Sequence, residues 1–176
     1  MSAATHKRLF FALWPPAELQ AEISSATADV LVASKGRPQA EKNIHLTLAF
    51  LHNVEIERLE CVCDAASRVE VRPFKLTLDR FAYWRRSKIL SLSTSSIPDE
   101  LEQLFDQIWT ELGACDFRRE ERPFKAHVTL ARKARHGSRD PLPKPIVWRI
   151  DEFVLVESVP GPKGRDYPIL ARWPLT

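Results

Sequence analysis

The stretch "NIHLTLAF" spans residues 43–50 and places a histidine and a threonine in a segment that otherwise has the composition of a buried strand. Side chains two positions apart on a strand share one face. His45 and Thr47 therefore project together, while Leu46 and Leu48 point to the opposite, packed side. An apolar strand has no need of these two polar groups, so their presence requires an explanation.

The same arrangement recurs in "KAHVTLAR" at 125–132, where His127 and Thr129 share a face. A single His-x-Thr is weak evidence for a functional site, because the histidine of such a segment more often has a structural role. Two copies in nearly identical contexts, at matching places in the chain, favour a functional role for both.

The segments before the two stretches also match each other. An apolar, aromatic run at 8–14 predicts a buried strand, and 16–34 predicts a helix ended by a glycine. Before the second stretch, a strand at 88–94 and a helix at 98–112 occupy the same relative positions. Two such halves pack most economically about a pseudo-twofold axis, which would bring the four polar side chains to one cleft.

The remaining segments extend these halves. A helix is predicted over 54–70, and a strand over 74–84 should form a hairpin with 88–94 across the turn at Arg85-Arg86. The later segments are predicted as a loop at 133–145, a strand at 146–159, a loop at 160–164 and a strand at 167–175.

Composition indicates an ordinary globular chain. Its 176 residues are 44% hydrophobic and 28% charged, so we expect one folded domain over 1–176. The formal net charge of +3 is a mild basic excess that suits a phosphorylated partner without identifying one. The apolar run "RLFFALWPP" is short and is stopped by prolines, so we expect no signal peptide, no membrane span and a cytoplasmic monomer.

The cysteine pattern predicts no cross-link. There are three cysteines with no CxxC pair, which favours reduced, buried thiols over a disulfide framework or a structural zinc site. The three are Cys61, Cys63 and Cys115.

Two paired imidazoles and hydroxyls suit the opening of a cyclic phosphodiester. In-line displacement needs a general base on one side of phosphorus and a general acid on the other, and histidine populates both protonation states near neutrality. Threonine hydroxyls can donate hydrogen bonds to the non-bridging oxygens, where negative charge accumulates. This scheme requires no metal ion or other cofactor.

At these residues the chain resembles the two-histidine phosphoesterases, named for paired HxTx motifs, and among them the bacterial RNA 2',3'-cyclic phosphodiesterases, formerly known as 2'-5' RNA ligases. The likeness extends over nearly the whole chain. It is carried by "RLFFAL", "NIHLTLAFL", "RPFKAHVTLAR" and "VESVPGPKGRDYPILARWPL".

The resemblance implies a bilobal α+β fold, with two antiparallel sheets around a central cleft and helices on the outside. It also implies hydrolysis of a terminal 2',3'-cyclic phosphate of RNA to a 2'-phosphate. In such enzymes the first motif histidine, here His45, looks like the proton donor, and the second, here His127, is similar to the proton acceptor. Thr47 and Thr129 then match the phosphate-binding threonines.

The two motifs do not determine which other residues contact the substrate. Arg132 lies three residues after the second motif threonine, so strand alternation sends it to the opposite face unless the strand ends or bulges there. Phe11 is a candidate base-stacking residue, as single-stranded RNA recognition often uses aromatic side chains. Other aromatic candidates are Phe10, Tyr83 and Trp84. The resemblance departs at His52, where many relatives have glycine.

Two other functions stay open at this point. The cleft could instead serve a small cyclic nucleotide or a 2'-5' oligonucleotide. The chain could also be a non-catalytic RNA- or nucleotide-binding module. Because a catalyst also accelerates the reverse reaction, an RNA phosphodiesterase of this kind would have 2'-5' RNA ligase activity as a side reaction.

Overall fold

The computed structural model describes residues 5–162 and 164–176. Its strands are β1 (His6–Leu13), β2 (Arg37–Pro38), β3 (Leu46–Glu55), β4 (Phe74–Trp84), β5 (Ile89–Ser93), β6 (His127–Arg132), β7 (Pro141–Ile150), β8 (Glu152–Glu157), β9 (Val159–Gly161), β10 (Gly164–Asp166) and β11 (Ile169–Pro174). Its α-helices are α1 (Ala17–Ala26), α2 (Ala28–Ser34), α3 (Leu59–Ser67) and α4 (Asp99–Leu112).

The strands form two matching halves. The main sheet is antiparallel and runs β11-β8-β1-β3-β6-β5-β4-β7, with the short β2 beside β6 and with β9 and β10 as a separate hairpin. Exchanging β3 with β6, β1 with β5, β8 with β4 and β11 with β7 maps one half onto the other. The predicted α+β fold with its pseudo-twofold duplication is therefore confirmed.

The halves meet at a narrow joint. β3 and β6 share one ladder pair, Leu46 opposite Val128, so hydrogen bonding joins the two predicted sheets into one continuous sheet. That pair lies midway between the two His-x-Thr segments. The approximate twofold axis therefore passes through the joint.

The sheet is strongly bent, as the connection between β7 and β8 requires. These strands are six positions apart in the sheet, which would be ~29 Å in a flat array. A single residue, Asp151, joins them, and consecutive Cα atoms are only ~3.8 Å apart. The outer edges of the halves must therefore converge at one end.

The two faces of the sheet differ in what covers them. On β1, Leu9, Phe11 and Leu13 belong to the main core, which also contains apolar residues of α3 and α4. Phe10 and Ala12 point the other way and join a small second cluster with β8. Strand alternation thus separates a helix-covered face from a face that carries the motif histidines.

A bulge follows the motif threonine in both β3 and β6. The register of each strand against its outer neighbour skips one residue, Leu48 in β3 and Leu130 in β6. An extra residue shifts the alternation by one position. The side chains of Phe50 and Arg132 therefore return to the face of the histidines.

Two predicted helices have different bounds. The helix predicted over 16–34 is broken at Thr27, whose φ of −110° is not helical and whose hydroxyl donates to the carbonyl oxygen of Ile23 at 2.8 Å. The helix predicted over 54–70 starts later, at Leu59, because β3 continues to Glu55.

The C-terminal elements also differ from the prediction. The strand predicted over 146–159 is two strands in different halves, separated at Asp151, which apolar periodicity alone could not locate. The loop predicted over 133–145 ends earlier, because β7 begins at Pro141, opposite Arg80 of β4. None of the helices within the described ranges is long and apolar enough to cross a membrane.

The prediction of three reduced cysteines was wrong. A disulfide joins Cys61 of α3 to Cys115, just beyond α4, while Cys63 is free. The two bonded residues are 54 positions apart, so no local spacing indicated the bond. Packing of α3 against α4 brings them together.

Reduction of this disulfide should lower the free energy of unfolding. Closing a loop of 54 residues restricts the unfolded chain, which corresponds to ~4 kcal/mol in the chain-entropy description. Urea unfolding with and without reductant measures the difference. A Cys63→Ser variant should show the same difference, and thiol titration finding three free cysteines in the non-reduced, unfolded protein would contradict the bond.

Candidate active site

The joint between the halves places four polar side chains around one cavity. We call them the motif tetrad: His45, Thr47, His127 and Thr129. Extending the β3–β6 register by one residue in each direction sets each histidine across from the threonine of the other motif. The tetrad thus has the same twofold symmetry as the sheet.

The cavity is small, with a volume of about 110 Å³. Besides the tetrad, it is lined by Gln39, Asn43, Ile89 and Arg132. All four tetrad side chains are half-buried. The arrangement can accommodate one small anionic group between two imidazoles.

Both imidazoles are held in the same way. His45 Nδ1 lies 2.7 Å from the carbonyl oxygen of Asn43, and His127 Nδ1 lies 2.6 Å from that of Lys125. A carbonyl only accepts, so each Nδ1 carries the hydrogen and donates. Each neutral ring therefore keeps an unprotonated Nε2, the nitrogen available for proton transfer.

Aromatic side chains surround the first histidine. The Trp14 ring stacks on His45 with centroids 4.9 Å apart and an interplanar angle of 3°. Phe10 and Tyr167 complete the enclosure at 5.1 Å and 5.5 Å. This enclosure fixes the orientation of the imidazole and removes much of its hydration.

The second histidine has a more open environment. Trp84 is the aromatic neighbour of His127, with centroids 4.7 Å apart and an edge-on angle of 73°. His127 also borders a large groove on the side of the cavity away from His45. The two rings of the tetrad thus have matching anchors and different surroundings.

Burial lowers the pKa of both histidines. For His45 it lowers the pKa to about 4, partly offset by the hydrogen bond to Asn43, and the charges of Arg132 and His127 lower it further. For His127 burial is again the largest cause, partly offset by the hydrogen bond to Lys125, while the charge of Arg132 also lowers the pKa. Both rings are therefore neutral in the free protein at pH 7.

Arg132 lies at the cavity because β6 bulges at Leu130. Strict alternation would have pointed Arg132 away from His127, and the sequence left both outcomes open. With the bulge, the guanidinium lines the cavity together with the tetrad. Its position suits a contact to a non-bridging phosphate oxygen.

Phe11 does not reach the site. It is 1% exposed and packs in the main core against Phe153 and Trp173, on the face opposite the histidines. Phe10, its neighbour, is the residue that contacts His45. The sequence could not decide between the two because it does not fix which face of β1 turns to the cleft.

Other residues at the site gave no sequence signal. Gln39 donates to the carbonyl oxygen of Asn43 at 3.2 Å, the same oxygen that anchors His45. Trp14 was predicted as the last residue of the first strand but follows β1, which ends at Leu13, and Tyr167 comes from the segment between β10 and β11. The contact of Tyr167 with His45 depends on the fold of the C-terminal segment over the first half.

The groove beside the cavity is much larger, about 1080 Å³. Thr47 and His127 line both the cavity and the groove, whereas His45 lines only the cavity. The groove thus opens onto the tetrad from the His127 side. Within residues 5–162 and 164–176, no group of three or more His, Cys, Asp or Glu side chains is placed to hold a metal ion.

A family model described as LigT like Phosphoesterase matches the chain twice, over residues 13–90 and 92–164. Each match contains one motif histidine. The two matches are therefore consistent with an internal duplication of the chain.

Individual proteins are similar over nearly the full length. The chain is 35% identical to the RNA 2',3'-cyclic phosphodiesterase of Escherichia coli (strain K12) over 172 residues, 97% of each chain. The crystal structure of E. coli LigT complexed with 3'-AMP superposes with a TM-score of 0.90 at 34% identity, covering 97% of this chain and 99% of that one. The crystal structure of TT0787 of Thermus thermophilus gives a TM-score of 0.81 at 26% identity, covering 96% and 97%.

The lowered pKa of His45 predicts a pH-dependent stability. Between pH 6.5 and about 4 the unfolded chain binds a proton that the folded His45 does not, so stability should decrease as the pH falls through this range. Histidine NMR should show a neutral His45 down to about pH 4. In a His45→Gln variant, the urea concentration at the unfolding midpoint should decrease less steeply as the pH falls. Titration of His45 near pH 6.5 in the free protein would contradict the expected burial effect.

Proposed function

This chain belongs to the LigT-like phosphoesterase family, and from this premise we infer that it is a hydrolase that opens terminal 2',3'-cyclic phosphates of RNA. Its relatives named for that activity cover nearly the whole chain. The proposed product is a 2'-phosphate with a free 3'-hydroxyl.

One observation carries the proposal: two identically anchored imidazoles share one small cavity. Both donate Nδ1–H to the carbonyl oxygen two residues earlier, so both offer Nε2 for proton transfer. A structural histidine needs no partner related by a pseudo-twofold axis. In-line displacement does need two, one for the entering oxygen and one for the leaving oxygen.

The surroundings of the rings support different roles. His127 borders the open groove, so water can reach its Nε2, and we assign it as the base that accepts the proton of the attacking water. His45 is enclosed by aromatic rings, and we assign it as the acid that protonates the departing 3' oxygen. Each proton transfer is worth about a hundredfold to ten-thousandfold in rate.

Substrate binding supplies the protonation state that these roles need. In the free protein the pKa of His45 is about 4, which favours the neutral ring. A phosphate anion in the cavity raises the pKa of both imidazoles and compensates the charge of Arg132. The bound pair then holds one proton, and we place it on His45, because the ring that accepts the proton of the attacking water must be neutral and His127 is the ring beside the groove.

The remaining cavity residues bind the phosphate. The hydroxyls of Thr47 and Thr129 line the cavity on opposite sides and can donate to the two non-bridging oxygens. Arg132 adds a charge-assisted contact. These donors stabilise charge that develops on phosphorus oxygens during displacement.

We propose that the chain acts as a single domain and a monomer, because both halves of the site come from one chain. RNA as the partner also suggests a cytoplasmic location, where RNA ends are produced. RNA joining follows from the same chemistry in reverse and remains the minor reaction in dilute water.

Removing either histidine should abolish most of the activity. We expect His45→Ala and His127→Ala each to lower kcat by about a hundredfold to ten-thousandfold, because each removes one proton transfer. The substrate is an oligoribonucleotide with a 2',3'-cyclic phosphate, and phosphorus NMR distinguishes the 2'- from the 3'-monoester product.

The matched control is His136→Ala, which changes an exposed histidine in the loop after β6 and should keep full activity. All assays are run with and without chelator. Full activity of a His45→Ala, His127→Ala double variant, or a 3'-phosphate product, would refute the proposed mechanism.

A further inference from the structure

Trp14 differs in kind from the residue that takes its place in the second half. Extending the β1–β3 register by one residue sets Trp14 opposite His45. In the second half Ser93 of β5 lies opposite His127, and its hydroxyl donates to the carbonyl oxygen of Ala126 at 2.8 Å. Directly opposite residues of an antiparallel pair project to the same face. The pseudo-twofold axis therefore relates an indole beside one motif histidine to a small hydroxyl beside the other.

The contact of Trp14 with His45 is a face-to-face stack. The ring centroids are 4.9 Å apart and the planes differ by 3°. Trp84, the aromatic neighbour of His127, is instead inclined by 73° to that imidazole. A cation that lies over an aromatic face within about 6 Å of the centroid is attracted by the ring quadrupole, and tryptophan attracts it most strongly. Protonation of His45 would place a positive charge at this position.

The backbone holds the Trp14 ring in this orientation. Pro15 and Pro16 follow it directly, and α1 begins at Ala17. The residue before a proline is restricted to extended conformations, and each proline fixes its own φ. Trp14 therefore leaves β1 in an extended conformation, which keeps its side chain on the face of His45.

Trp14 lies outside the main core. It is half-buried and packs against the small second cluster of Phe10 and Ala12 with β8. It also lines a cavity of about 440 Å³ at the start of α1, which does not include His45. Replacement of Trp14 should therefore leave the main core intact.

The other groups around the imidazole pair do not favour a proton on His45 over one on His127. The charged and titratable groups that face His45 are Arg132 and His127 from β6 and the phenol of Tyr167 from the segment before β11. Arg132 lowers the pKa of both motif histidines. The carbonyl anchors are the same for both rings, and burial opposes a proton on either. A proton on His45 therefore requires an attraction that His127 lacks.

We propose that Trp14 is a positioning residue whose indole face holds His45 and stabilises the imidazolium that protonates the leaving 3' oxygen, an inference that rests on the proposed function. Trp14 lines neither the phosphate cavity nor the groove, so it acts through His45. Without the stack, the proton of the bound pair would move to His127. A protonated His127 cannot accept the proton of the attacking water.

Site-specific replacement of Trp14 by tetrafluorotryptophan tests the assignment. Fluorine withdraws electron density from the ring face and nearly preserves the size of the indole, so the attraction to a cation is lost while the packing is kept. Histidine NMR in saturating inorganic phosphate measures the protonation of each imidazole. We expect the proton affinity of His45 to fall about twofold to thirtyfold, which lowers its pKa by about 0.4 to 1.5. The share of the proton on His127 should rise.

Conventional variants extend the test to turnover. Trp14→Phe keeps an aromatic face and Trp14→Leu does not. Because the reaction stops when His45 loses its proton, kcat should begin to fall at a lower alkaline pH in Trp14→Phe, and at a still lower pH in Trp14→Leu. The substrate is an oligoribonucleotide with a 2',3'-cyclic phosphate.

The matched control is Trp173→Leu. Trp173 stacks on Phe153 on the opposite face of the sheet, with centroids 5.4 Å apart, so its removal reproduces the loss of an aromatic side chain without touching His45. The alkaline fall of kcat should stay at the pH found for the unaltered protein.

Three results would count against these assignments. An unchanged or higher pKa of His45 in the tetrafluorotryptophan protein would overturn the proposal. So would a lower kcat at every pH with an unchanged alkaline fall in Trp14→Leu, which is the result of a purely structural role. Absence of hydrolysis in the unaltered protein would refute the proposed function, while the titration in phosphate, which needs no turnover, would still show whether Trp14 sets the protonation of His45.

Discussion

The pairing of β3 with β6 is the contact on which the site depends. One ladder pair, Leu46 opposite Val128, sets the register of both motifs at once. A slip of one residue would turn an entire His-x-Thr face into the core. Leu46 and Val128 are completely buried on the packed face, so such a slip would also expose apolar side chains and bury imidazoles. The packing of the core thus maintains the geometry of the cavity.

The symmetric frame supports an asymmetric site. The two imidazoles have the same backbone anchor, and both strands bulge after the motif threonine. The bulges return different side chains to the cleft, Phe50 in one half and Arg132 in the other. His45 is enclosed by three aromatic rings, whereas His127 has one aromatic neighbour, Trp84, and borders an open groove. Acid-base catalysis requires such a difference, because two equivalent imidazoles would not distinguish the entering from the leaving oxygen.

The sequence predicted the features that follow from repetition and periodicity. The tetrad, the strand-helix-strand halves and their axis could be inferred from two short segments. Features that depend on register could not. Contacts between distant strands set the bulge at Leu130 that moves Arg132. Such contacts also determine that Phe10 rather than Phe11 faces the cleft, and they bring Tyr167 next to His45. His52 is a related case, because its φ of 57° is a left-handed conformation that glycine adopts more readily, and the sequence does not show it. The disulfide was missed because helix packing alone brings its cysteines together.

The crossover at Asp151 has a consequence for how the protein is made. The N-terminal half contains β1 and β3, yet its outer strands β8 and β11 are the last main-sheet strands to be synthesised. While a nascent chain is still on the ribosome, β1 presents an unpaired edge until residues 152–174 have emerged. The second half, in contrast, has all four of its main strands by Ile150. Folding during translation can therefore complete the His127 half first, and the contact of Tyr167 with His45 forms only after the segment that contains Tyr167 has emerged.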